Sequence, residues 1–143
     1  MIRGIDTTFL VEAEVVGHPK HARSRSLLAE VISDGGRIAI APQILAEFAH
    51  VVTDARRFEH PLEMSAALVR VSLWWNAVET KQVFPNAETI ALFGSWMSGE
   101  NLGRKRILDT MLAATYVSNG ITSLITSNSR DYSVFKGLEV TTP

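Results

Sequence analysis

The residues with chemistry to offer are four acids and an amide, Asp6, Glu47, Asp109, Asp131 and Asn128, scattered along a chain of 143 residues. Asp109 lies in ILDTMLAATYVSNG, where helical spacing groups Leu108, Met111, Leu112 and Thr115 on one side and Ile107, Ala114 and Val117 widen the apolar surface. It is therefore expected at or near a buried helix face. Asp6 closes a short apolar stretch containing Ile2 and Ile5, and read by itself it is a helix N-cap. Glu47 borders the stripe Ile44, Leu45, Phe48, Val51 and Val52, a place that suits a surface glutamate as well as a site acid. TSLIT at 122–126 reads as a buried strand whose end delivers Asn128 and Asp131.

These candidates are oxygen donors with no histidine or cysteine among them, the set that hard cations such as Mg²⁺ and Mn²⁺ prefer. Two carboxylates about 4 Å apart repel by about 4 kcal/mol at an effective dielectric near 20, so converging acids need a proton or a cation. A divalent ion removes the conflict, polarises a phosphodiester and lowers the pKa of the water it binds. Zinc is not expected: His18 and His21 are separated by Pro19, and no third ligand is near them in sequence.

Bringing such acids together is a task for strands alternating with helices. After the strand before Asp6 comes KHARSRSLLAEVISDGG, where Leu27, Leu28, Val31 and Ile32 predict a helix closed by Gly35-Gly36. RIAIA at 37–41 predicts a strand, with Pro42 as first residue of the Glu47 helix. A further helix is expected from Pro61 to about Ala77, with Leu62, Ala66, Val69 and Leu73 as its apolar spacing and Trp74-Trp75 as core or interface anchors. Val78–Phe84 predicts a strand stopped by Pro85, Asn86 caps a helix ending at Gly99, and Asn119-Gly120 ends the Asp109 helix. LEVTT supplies a last strand. The pattern predicts one α/β domain over residues 1–143, a mainly parallel central sheet flanked by helices, with its site beyond the carboxyl ends of the strands.

Composition narrows the function classes. The chain is 46% hydrophobic and 20% charged, ordinary for a globular protein, and the absence of cysteine excludes disulfides and thiolate metal sites. With 14 Lys plus Arg against 15 Asp plus Glu there is no global basic field, so contact with nucleic acid must be local. Arg104-Lys105-Arg106, Arg56-Arg57, and Lys20 with Arg23 and Arg25 are the candidate patches, each readable also as a solvated helix end. No stretch resembles a secretory signal or a membrane span, so a soluble, cytoplasmic protein is expected. The acyl-hydrolase elbow, the phosphate-binding P-loop and the dinucleotide turn are all missing from the sequence. A receiver domain would need paired acids after its first strand, whereas Asp6 stands between Ile5 and Thr7.

With these residues in view, the chain resembles the PIN-domain ribonucleases, particularly the VapC-type toxins of bacterial toxin–antitoxin pairs. GIDTTFLV is similar to the family's opening strand with its first acid, PQILAEFAHVV to its second segment, RILDTMLAATYVSNGITSLITSNSRDY to its third, and GLEVTTP to its last strand. The resemblance implies that Asp6, Glu47 and Asp109 hold Mg²⁺ or Mn²⁺ and that an RNA phosphodiester is hydrolysed. For the fourth position it offers Asn128, where many members carry an acid, or Asp131; Thr7, Thr126 and Ser127 are hydroxyl candidates beside the acids. It further implies a small antitoxin encoded nearby and a homodimer, with Phe9-Leu10, Phe48 and Trp74-Trp75 as antitoxin contacts. The competing reading is a non-catalytic binding module that acts through a partner protein.

Overall fold

Short segments rich in apolar residues, IRGI, RIAI and SLI, become the inner strands of the sheet, and the more polar TKQ and EVT become its edges. The computed structural model describes residues 1–143. In chain order the elements are β1 (Ile2–Ile5), α1 (Thr7–Glu14), α2 (His21–Ser33), β2 (Arg37–Ile40), α3 (Pro42–Val52), α4 (Met64–Asn76), β3 (Thr80–Gln82) and α5 (Ala87–Gly99). A 3₁₀ turn (Arg104–Arg106), α6 (Ile107–Ser118), β4 (Ser123–Ile125), α7 (Ser129–Tyr132) and β5 (Glu139–Thr141) follow. The sheet is parallel throughout in the order β3-β2-β1-β4-β5. The chain builds outward from β1 through β2 and β3, then returns to add β4 on the other side. That reversal between β1 and β4 is where parallel sheets open a crevice at their carboxyl ends.

Local chemistry fixes most boundaries. Asp6 caps α1 by accepting from the Phe9 amide, Pro42 opens α3, and Asn86 and Thr89 form a reciprocal capping box on α5. Gly120, with φ +75°, turns the chain out of α6. The core runs between sheet and helices, with Ile5, Phe9, Leu10, Ile40, Ile44, Phe48, Leu112 and Leu124 fully buried. Tyr116 of α6 lies against the bare backbone of Gly4, where an added Cβ would come within 2.8 Å of its ring. The Tyr116 hydroxyl donates toward Ile5 O at 2.5 Å and Ala39 O at 3.0 Å, tying α6 to both central strands.

Several expectations need correction. α4 begins at Met64 rather than Pro61, because Leu62 donates its amide to Val52 O and keeps the preceding segment extended. Its inward face is Ala67 with Val71, Trp74 and Trp75, while Leu68, Val69 and Leu73 are more than half exposed. Apolar residues lie nearly all round this helix, so spacing alone does not select the buried side, and small Ala67 allows the closest approach. The third strand is shorter than foreseen, since only Thr80–Gln82 pairs with β2. On α6, Ile107 and Leu108 point outward, leaving the buried face to Leu112, Ala113 and Tyr116. Phe9, Leu10 and Phe48 are core residues with no exposed surface and are not available to an antitoxin.

Candidate active site

Asp6 sits at the carboxyl end of β1, 3% exposed. Its Oδ1 accepts from the Phe9 amide at 2.9 Å and its Oδ2 from the Thr126 hydroxyl at 2.5 Å, so the carboxylate is held at both ends. Burial pushes its pKa up to about 7; the two hydrogen bonds pull the other way, and the charges of Asp109 and Glu12 add to the rise. Capping and site chemistry thus fall on the same side chain. Thr126 also accepts from the Asn128 amide at 2.9 Å, and Asn128 Nδ2 donates to Thr8 Oγ1 at 3.1 Å, leaving Asn128 exposed at the mouth of the crevice.

Asp109 enters from the first turn of α6, where the helix N-terminus favours an anion. It is half-buried, and Tyr132 of α7 donates to its Oδ1 at 3.1 Å. Its pKa is raised chiefly by burial; the Tyr132 hydrogen bond opposes this, Asp131 raises it, Arg106 lowers it and Glu47 raises it again. Arg106 Nε lies 3.9 Å from Asp109 Oδ2, while the same guanidinium donates to Asp131 O and lies 5.9 Å over the Phe135 ring. Its Nε is buried without a hydrogen-bond acceptor. Burial and the charges of Asp6 and Asp109 push the Tyr132 phenol upward, so it remains a neutral donor.

Glu47, half-buried on α3, accepts from Thr7 Oγ1 at 2.7 Å and from Gln43 Nε2 at 2.8 Å. Gln43 also donates to Leu108 O, joining α3 to the start of α6. Charge therefore couples Asp109 to Asp6, Asp131 and Glu47. Asn128 stands apart, on the Asp6 side, through Thr126 and Thr8. The donor set of carboxylates, amide and hydroxyls fits a hard divalent cation, and the acids' mutual repulsion is what such an ion relieves. As the side chains stand, no three acids converge on one point. Gln43, Tyr132 and Glu12 were not foreseen from the sequence. Glu12 left a signal of the same kind as Asp109, an acid inside the apolar run FLVEA.

Of the basic patches, Arg56 and Arg57 fold back on Asp54 at 3.3 and 3.6 Å, whereas Arg104 and Lys105 stay exposed just before α6.

A parallel five-stranded sheet with Asp6 at the carboxyl end of its central strand and Glu47 and Asp109 on adjoining helices defines a class, and the PIN domain profile matches residues 5–137. The chain belongs to the PIN domain family. Among solved structures it is similar to VapBC2 of Rickettsia felis, crystallised with a promoter DNA fragment, at 16% identity and TM-score 0.68, covering 100% of this chain and 99% of that one. It is also similar to VapBC-1 of nontypeable Haemophilus influenzae, at 17% identity and TM-score 0.70, covering 99% and 98%. A third is VapC20 of Mycobacterium tuberculosis, a sarcin–ricin-loop-cleaving toxin, at 16% identity and TM-score 0.71, covering 93% and 94%. These likenesses concern the fold. No curated protein sequence matches the chain. No helix is long and apolar enough to cross a membrane.

Proposed function

We propose that the protein is a metal-dependent endoribonuclease acting as the toxin of a toxin–antitoxin pair. The observation that carries this is the pair Asp6 and Asp109: two acids far apart in sequence, both with raised pKa, the charge of Asp109 felt at Asp6 beside the crevice of a PIN fold. A Mg²⁺ or Mn²⁺ ion held by Asp6, Glu47 and Asp109 would polarise the phosphodiester and acidify water beside it. Thr126 and the Phe9 amide orient Asp6, and Tyr132 orients Asp109. Thr7 and Gln43 do the same for Glu47. Asp131 takes the fourth position, because its charge acts directly on Asp109 while Asn128 is turned to Thr8. Exposed Arg104 and Lys105 meet the RNA backbone, a contact that positions without reading sequence.

The partner in this reading is an antitoxin, which the fold shared with VapBC complexes supports. Exposed Met64 with Leu68 and exposed Val69 with Leu73 offer it apolar contacts on two flanks of α4. A homodimer is part of the same reading, and light scattering of the free chain and of the co-expressed pair checks both assemblies.

The direct test is cleavage of a labelled structured RNA with Mn²⁺, with chelator, and with Asp109→Asn. Cleavage is expected with Mn²⁺ alone; activity that survives both chelator and the substitution refutes the assignment. One observation favours the second reading, a non-catalytic module: no three acids converge. That module would show no saturable thermal stabilisation by Mn²⁺.

A further inference from the structure

Asp6 and Glu12 are the two acids buried below 5% exposure, at 3% and 2%, and only Asp6 has a place in the site described above. Glu12 lies in the second turn of α1. No lysine or arginine pairs with it. Its Oε2 accepts two neutral hydroxyls, Ser24 Oγ of α2 at 2.9 Å and Ser127 Oγ at 3.0 Å. A buried carboxylate with no cation partner destabilises a fold, so a residue of this kind needs a use that offsets the loss. What the carboxyl group does supply is an oxygen that accepts from both hydroxyls at once.

The two serines lead to different places. Ser24 ties α1 to α2, away from the acids. Ser127 belongs to the short link between β4 and α7, every residue of which is fastened to α1 or to its neighbour. Thr126 donates to Asp6, Ser127 to Glu12, and Asn128 bonds Thr126 Oγ1 through its amide and Thr8 through its side chain. One helix therefore grips successive residues of the link with a carboxylate at its start and another six residues on.

We propose that Glu12 is a positioning residue: through Ser127 it holds the Thr126 hydroxyl against Asp6 and thereby sets Asp6 for a divalent cation. This rests on the metal-dependent reading above. The matched serines provide the test, because both donate to the same oxygen and only one continues to the site. In the full chain freed of metal, Ser127→Ala and Glu12→Gln should each weaken Mn²⁺ binding by about 10-fold in titration calorimetry, while Ser24→Ala stays within about twofold of wild type. Ser127→Thr, which keeps the hydroxyl, should restore affinity. The Glu12→Gln/Ser127→Ala double variant should bind no worse than the weaker single one, since both break one path.

Equal losses in Ser24→Ala and Ser127→Ala would reduce Glu12 to a structural acid and overturn the proposal. Additive losses in the double variant would reduce it to a distant charge and overturn the proposal as well. If wild type binds Mn²⁺ and Ser127→Ala binds equally well, the positioning role alone fails. If wild type binds no Mn²⁺ at all, the metal-dependent reading and this inference fail together.

Discussion

The carboxyl edge of the sheet and the outer face of α4 break the same rule in opposite directions. At the edge, Asp6 and Glu12, groups that water would solvate, are 3% and 2% exposed. On α4, Met64, Leu68, Val69 and Leu73, groups that a core would take, are 53–62% exposed. The buried acids cost folding stability, whereas the exposed apolar residues merely forgo the stabilisation that burial would give, and each has a different remedy in solution. On the proposed function a cation would complete the Asp6 site and an apolar partner surface would cover α4. The difference between the two is reversibility by chemistry: protonation relieves Asp6, but only another surface covers α4.

The largest expected effect separates function from stability at the edge. Asp6→Asn should lower Mn²⁺-dependent RNA cleavage at least about 100-fold, the loss of several kcal/mol of charge stabilisation, yet raise the metal-free melting temperature at pH 7.5. A variant that melts lower would mean that the buried charge is not a liability.

The next effect is on pH. Asp6 is raised in the fold from an ordinary 3.8 to about 7, and Asp109 moves the same way. Between those values the folded chain binds protons that the unfolded chain has released, so metal-free stability should fall as pH rises from about 4 to about 7. Asp6 contributes at most about 1.4 kcal/mol to that fall for each pH unit, and Asp109, better screened by solvent, contributes less. Melts across this range should show the decline, and saturating Mn²⁺ should abolish it. Stability that climbs with pH would contradict the burial assigned to Asp6.

The smallest effect belongs to α4. Leu73→Glu should change folding stability by no more than about 0.5 kcal/mol, measured in urea, because Leu73 is already 62% exposed. The same substitution should weaken a co-expressed antitoxin complex by about 10-fold. A strongly destabilised variant would show instead that this face is packed.

What the sequence made legible was local. The cap at Asn86, the proline opening α3, the glycine closing α6 and the apolar strands are each written within a few residues of where they act. The elements that carry Asp6, Glu47 and Asp109 were foreseen for the same reason. The expectation that they share one crevice came from the order of alternating strands and helices together with the family resemblance. The orientation of α4 was hidden because its apolar residues do not favour one side. Glu12 was hidden because its partners, Ser24 and Ser127, lie 12 and 115 residues away and look like any surface serine. Tyr132 was hidden by α7, a four-residue helix too short to leave a periodic trace.

The central position of β1 has a consequence in time. Its free edge is covered only by β4, and the hydroxyl that steadies Asp6 comes from a residue 120 positions later. A growing chain that has made β1, β2 and β3 has an open strand edge, an empty seat for Tyr116 at Gly4, and an acid with nothing above it. The proposed site is therefore a long-range construction, in which Asp6 is complete only once β4 and the residues after it have packed against β1.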